Sequence, residues 1–322
     1  MRPLYYNIKN YVRFLQCKPR ALGFIFMLHR VAEWDDGKIR WNEYLKISPN
    51  KLDSILTSLK KKYEIISLND VTTYLSEKHK KKFVVFTFDD GYKDNLTNAL
   101  PIFKKHNVPF TIFLTSDFMD RKAILWWYLL EDLLLSHNEV ILSNGKKFAC
   151  STMDEKSRAF LTIRDEILKI NQNSLFEGLT KLFDGYKIDW FSKCEELCLS
   201  WDDVQRLTKE PLVTLGAHTQ HHYNLTLLST EDDVYEEIMA GIKTVEKHIN
   251  TTLSTFAYPY GLANQREISV VSSMNDYFNV AVMAAGGAVT NECKNAYALP
   301  RFFIEESFDR FTLIRETDCC IL

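Results

Sequence analysis

The sequence has no charge surplus, no paired-cysteine pattern, no long apolar run and no internal repeat. Each absence removes a class of function. Against 42 Asp+Glu stand 40 Lys+Arg, a formal net charge of −2, so the chain has no general attraction for nucleic acid, and none is expected as a partner. The basic runs Lys60-Lys61-Lys62 and Lys78 to Lys82 flank expected helices and strands and read as solvated faces. The seven cysteines, at 17, 150, 194, 198, 293, 319 and 320, are odd in number and scattered. That excludes a disulfide framework and points to free thiols in a reducing compartment. Cys194 and Cys198 are expected to share a helix face, but no second pair is near enough in sequence to complete a zinc site. No stretch is apolar enough to span a bilayer, and Met1 to Arg20 lacks a signal-peptide core, so the expected location is cytoplasmic. The ending Cys319-Cys320-Ile321-Leu322 fits a prenylation box, but so short a match reads as coincidence.

What remains is ordinary soluble composition, 46% hydrophobic and 25% charged over 322 residues, enough for an α/β barrel with an insertion. The chain is organised around Phe83-Val84-Val85-Phe86-Thr87-Phe88, followed at once by Asp89-Asp90-Gly91. A run so apolar and so short reads as a central parallel strand. Parallel α/β sheets carry their reactive groups at the carboxyl ends of strands, where the two aspartates fall. Neighbouring carboxylates there point in different directions, so one can bind a cation while the other faces a substrate. Leu22 to Leu28 reads as an earlier strand delivering His29-Arg30, Glu64 to Leu68 as a short one and Pro109 to Leu114 as another. Helices are expected from Ser48-Pro49 to Lys62, from Asn69 to Glu77 and from Asn95 to His106. The pattern resumes with a helix at Trp201–Lys209, a strand at Leu212–Ala217 and a helix at Thr230–Ile249. Strands follow at Thr255–Tyr258, Tyr277–Met283 and Ala298–Ile304. This β-α alternation predicts a parallel barrel formed by residues 1–115 and 200–322. Residues 116–199 break the pattern and read as a largely helical insertion, a lid or a substrate-selecting subdomain. Its stripe Leu125-Trp126-Trp127-Tyr128-Leu129-Leu130 reads as core, and Asn144-Gly145 as a hairpin turn.

His218 and His222, four apart at a strand exit, can present two imidazoles on one side of a turn. With Asp90 they make a two-nitrogen, one-oxygen set with open coordination positions, suited to catalytic zinc and also acceptable to Co2+, Ni2+ or Fe2+. Three motifs carry a resemblance: Thr87-Phe88-Asp89-Asp90-Gly91, His218-Thr219-Gln220-His221-His222 and Ala257-Tyr258-Pro259-Tyr260-Gly261. In that order they resemble the polysaccharide deacetylases, the NodB-homology carbohydrate esterases of family 4. The resemblance covers residues 22–115 and 200–304. It implies a distorted (β/α) barrel and metal-dependent hydrolysis of N-acetyl groups on amino sugars, with an N-acylated carbohydrate as partner. It also implies residue roles: Asp89 as general base, Asp90, His218 and His222 as metal ligands, His221 not a ligand, and the Tyr260 backbone N–H as an oxyanion donor.

Two positions depart from the usual pattern. Ala257 stands where an arginine is usual, and no histidine follows His248 to serve as the general acid. The branch resembling poly-N-acetylglucosamine deacetylases has a rearranged order, with a histidine at the end of the first strand. Met27-Leu28-His29-Arg30-Val31 fits it, which assigns His29 as acid and offers Arg301, in Leu299-Pro300-Arg301, as the charge orienting Asp89. Two other substrate or function readings compete. One is a deformylase or deacetylase of a lipid-linked or nucleotide-linked sugar, for which the apolar insertion would allow peripheral membrane contact. The other is a glycan-binding barrel without turnover, which would have no need of Asp89. A non-haem iron oxygenase takes His-x-Asp or His-x-Glu from one strand, a pattern the candidate ligands do not form.

Overall fold

A computed structural model describes residues 21–77, 79 and 81–306. The start Met1–Arg20 with Cys17, and the ending Cys319–Leu322, lie outside the described residues. Among those described, ten strands form one sheet: β1 (Ala21–Leu28), β2 (Glu64–Ile65), β3 (Phe83–Phe88), β4 (Phe110–Leu114), β5 (Val213–Ala217), β6 (Thr255–Ala257), β7 (Val280–Met283), β8 (Val289–Thr290), β9 (Leu299–Pro300) and β10 (Phe302–Phe303). Their order is β8-β1-β3-β4-β5-β6-β7-β9, with β2 beside β3 and β10 beside β1. Only β8 runs antiparallel to its neighbour. Because β9 pairs with β7 and β10 with β1, residues 299–303 bring the sheet almost round on itself. The result is the expected distorted α/β barrel.

Every residue of β3 is buried, as expected of a strand covered on both faces. Its register on β1 sets Leu28 opposite Phe88, and the Asp89 N–H donates to the Leu28 carbonyl at 3.0 Å. His29 and Asp89 therefore leave the sheet side by side. On the next strands Leu114 lies opposite Ala217, and the His218 N–H donates to Leu114 at 2.9 Å.

Helix α1 (Pro49–Leu59) starts on a Ser48 cap and buries Leu52, Ile55, Leu56 and Leu59, the face its sequence marks out. The expected Glu64–Leu68 strand stops at Ile65, because Ser67 accepts a hydrogen bond from the Asn69 N–H and turns the chain into a 3-10 turn. The expected Asn69–Glu77 helix accordingly shortens to Val71–Ser76. The helix expected over Asn95–His106 opens with a π-helical turn, Asn95–Ala99, before Leu100–His106. Pro101 supplies no N–H for a regular ladder at that point.

Residues 116–199 hold helix α2 (Trp126–Ser136), a hairpin pairing Glu139–Ile141 with Lys147–Ala149, and helix α3 (Met153–Ile167). Gly145 takes φ 80° at the expected turn. Trp126, Leu130, Phe160 and Ile163 share one apolar cluster with Phe24, Phe88 and Val234, so the aromatic stripe is core. Cys194 and Cys198 do not share a helix. The Ser192–Leu197 helix ends before Cys198, whose backbone is extended. Helix α4 (Glu231–Ile249) begins with a Thr230–Asp233 capping box. No helix among the described residues is long and apolar enough to cross a membrane.

Candidate metal centre

The site is built where β1, β3, β5 and β6 end. Asp90 has φ 76° and Gly91 φ 75°, left-handed geometry that Asp tolerates and Gly favours. The reversal sends the two aspartates different ways. Asp90 Oδ1 lies 3.2 Å from His222 Nε2 and 3.5 Å from His218 Nε2. Those separations are compatible with the edges of a coordination tetrahedron, roughly 3.3–3.4 Å for zinc–ligand bonds of about 2.0–2.1 Å. Asp90 Oδ1 is buried and makes no hydrogen bond, an arrangement that is costly unless a cation completes it. The His218 ring donates from Nδ1 to the Ala257 carbonyl at 2.7 Å, which leaves Nε2 of the neutral ring with its lone pair toward Asp90. The donor set fits a divalent transition metal.

Asp89 turns the other way. Arg301 donates to both its oxygens, at 2.7 and 2.8 Å, and to Thr87 Oγ1 at 3.0 Å. Thr87 in turn donates to the Phe26 carbonyl at 2.8 Å. Burial pushes the Asp89 carboxyl up, but Arg301, with support from His218 and His29, brings it below the ordinary value. Arg301 is only 1% exposed, which rules out a surface arginine. It occupies the position between β9 and β10, so the element that closes the barrel also carries the clamp.

His29 leaves β1 with its ring edge against Phe303, centroids 5.5 Å apart, and its Nδ1 buried without a partner. Burial lowers its pKa, and the charges of Asp90 and Asp89 oppose that only in part. Tyr260 adopts φ 58°, ψ 2° in the turn Pro259–Gly261. A Cβ on Gly261 would stand 2.0 Å from that of Ala284, so only glycine permits this turn. The Tyr260 ring lies 5.0 Å from that of His222. His221 is engaged elsewhere: Nδ1 lies 2.6 Å from Glu237 and Nε2 3.5 Å from Asp117.

Asp89, Asp90, His29, His218, His222, Tyr260 and Arg301 thus lie together at one mouth of the barrel. Sequence reasoning missed the wall around it. Trp126 Nε1 donates to the Tyr260 hydroxyl at 3.3 Å, and Trp127 and Phe118 each pack on His222 with centroids 5.6 Å apart. The only available signal, consecutive aromatics in an insertion, does not separate a site wall from core. Asp94 makes no side-chain cap for the Asn95–Ala99 turn that follows it; its carboxylate accepts from the Val31 N–H at 3.0 Å and Arg30 Nε at 2.8 Å. The chain does contain one His-x-Glu triplet, His137-Asn138-Glu139. Its members are exposed, and His137 Nδ1 bonds the Leu133 carbonyl at 2.9 Å, so it adds no ligand to the centre.

Residues 76–277 match the family model described as polysaccharide deacetylase. No curated protein matches the chain. Among solved structures it is similar to the Streptococcus pyogenes deacetylase PplD in complex with acetate, with TM-score 0.61 and 17% identity over 92% of this chain and 97% of that one. It is similar to IcaB from Ammonifex degensii, with TM-score 0.58 and 16% identity over 94% and 98%. A de-N-acetylase from Aggregatibacter actinomycetemcomitans gives 0.56 and 16% over 91% and 98%. At such identities these likenesses speak for the fold.

Proposed function

The chain belongs to the polysaccharide deacetylase family, and from that premise we propose that it is a metal-dependent hydrolase removing N-acetyl groups from amino sugars of a polysaccharide or glycan precursor. One observation carries the reading: a buried carboxylate oxygen without a hydrogen bond faces two imidazoles, beside a second carboxylate clamped by a buried arginine.

Asp90, His218 and His222 would hold the ion, zinc or another of Co2+, Ni2+ and Fe2+. When bound, such an ion supplies Lewis acidity that polarises a carbonyl and makes water a better proton donor. Asp89 accepts the proton of the attacking water. Its lowered pKa keeps it ionised, and Arg301 fixes its direction while leaving lone pairs free. The Tyr260 N–H donates to the oxygen that gains charge as water adds to the acyl carbon. His29 then gives a proton to the sugar nitrogen as the C–N bond breaks, releasing acetate and a free amine. A depressed pKa makes its protonated form a stronger acid, which suits a poor amine leaving group. The segment 116–199 lends Trp126 and Trp127 to the wall, which supports reading it as the substrate-selecting part. Free Cys150, Cys194 and Cys198 support a reducing, cytoplasmic setting. The clamped Asp89 disfavours a binding protein without turnover, since binding has no need of an oriented base.

The test is acetate or formate release from N-acylated glycans, nucleotide sugars and lipid-linked sugars, with and without chelator. Acetate release from glycans, lost in chelator and restored by zinc, is the expected result. Release from no substrate at any metal loading would overturn the proposal, and formate release would move it to deformylation.

A further inference from the structure

We infer that helix α4 is the positioning element of the metal-ligand loop and that it acts through Glu237 and Gly241. The inference rests on the reading of His218 and His222 as ligands. The loop between them contains two non-glycine residues in left-handed geometry, Thr219 at φ 67° and His222 at φ 63°. L-residues hold that conformation only where the surroundings over-determine it.

Helix α4 supplies one side of those surroundings. Glu237 Oε1 accepts the His221 N–H at 2.7 Å, and Oε2 takes the His221 ring Nδ1 at 2.6 Å. The Glu237 backbone carbonyl accepts the Gln220 N–H at 3.2 Å. One turn on, a Cβ at Gly241 would meet the Thr219 carbonyl carbon at 2.5 Å and the Gln220 nitrogen at 2.8 Å. The helix therefore touches the loop backbone directly, and only glycine allows that approach. The loop is also held by the Ser116 N–H on the Thr219 carbonyl at 3.2 Å and the Asp117 N–H on the Gln220 carbonyl at 3.0 Å.

Glu237 is buried on the same face as Val234 and Ile238. A carboxylate there is costly unless bonded, and the bonds it makes go to the residue preceding His222. Groups bonded directly to a ligand typically cost 10–100-fold in metal affinity when lost; Glu237 stands one residue further out and acts through the loop backbone that carries His222. Glu237 is thus a positioning residue: it touches no substrate and acts through His221.

The experiment titrates Zn2+ and Co2+ into the metal-free full chain against a chromophoric chelator. It also records the visible Co2+ spectrum, the melting temperature, and kcat and KM at saturating metal. Glu237→Ala and Gly241→Ala are expected to lower metal affinity by about 10-fold, the lower end of the range for partners bonded directly to ligands, and to shift the Co2+ bands. Glu237→Gln keeps an acceptor for the His221 N–H and the shape of the side chain, so it should fold and recover part of the affinity. Thr230→Ala, a cap loss in the same helix, should lower the melting temperature and leave affinity unchanged. Metal binding by Glu237→Gln and Glu237→Ala indistinguishable from wild type overturns the inference. So does an affinity loss in Thr230→Ala that matches theirs at equal melting temperature. A wild type that binds metal but releases no acyl group refutes the deacetylase reading alone, and the affinity comparison still decides this one.

Discussion

At the scale of single residues the decisive pair is Asp89 and Arg301. Both are buried, and removing one partner of such a pair leaves the other charge uncompensated. Arg301→Met should therefore cost about 3–5 kcal/mol of stability, measured by denaturant unfolding, and turnover should fall with it. Arg301→Lys retains the charge without the fork and should recover only part of either. The acid response follows from the directions of the shifts. Asp89 and His29 are both lowered in the folded protein, so the unfolded chain takes up protons first. The stability each contributes is full above its unfolded value, about 6.5 for His29 and about 3.9 for Asp89. It is lost as pH falls from there through the folded value. Asp89→Asn, which takes up no proton, should make the fall of melting temperature below about pH 4 shallower, with Asp90 still contributing. His29→Ala should remove most turnover while chelator competition shows metal still bound; near-normal turnover would refute its role as acid.

At the scale of elements, the ends of strands and the turns after them do the positioning. The turn after β6 depends on Gly261, whose φ is 64° and whose Cβ would collide with Ala284. Gly261→Ala combines the left-handed penalty with overpacking, roughly 2–5 kcal/mol together. Loss of melting temperature and of kcat should appear together, because the same turn carries Tyr260. Most elements were legible. Strand β3, helix α1 and helix α4 carry apolar runs or faces whose period names them, and Ser48 and Thr230 mark their starts. The π-helical turn at Asn95–Ala99 and the early stop of β2 were not, since each depends on hydrogen bonds a periodicity does not encode.

At the scale of the whole molecule, the proposed metal binding would be linked to folding. An ion bound only by the native state adds about 2.7 kcal/mol at a hundredfold excess over its Kd. Zinc should thus raise the melting temperature of the wild type, chelator should lower it, and Asp90→Asn should abolish the difference. The segment 116–199 shares the barrel's apolar cluster. Excising it would expose buried barrel side chains, so the shortened chain is expected to aggregate, as light scattering would show.

The sequence by itself determined the barrel class and named Asp90, His218 and His222 as the proposed ligands, Asp89 as the proposed base and His29 as the proposed acid. Apolar periodicity and motif chemistry are local, and local patterns survive without coordinates. Only the tertiary structure decided that Arg301 reaches Asp89 across the closing strands, that Trp126 and Trp127 wall the site, and that Glu237 grips the His218–His222 loop. Those contacts join residues far apart in the chain, and their geometry is set by strand register and helix packing, which no single stretch contains.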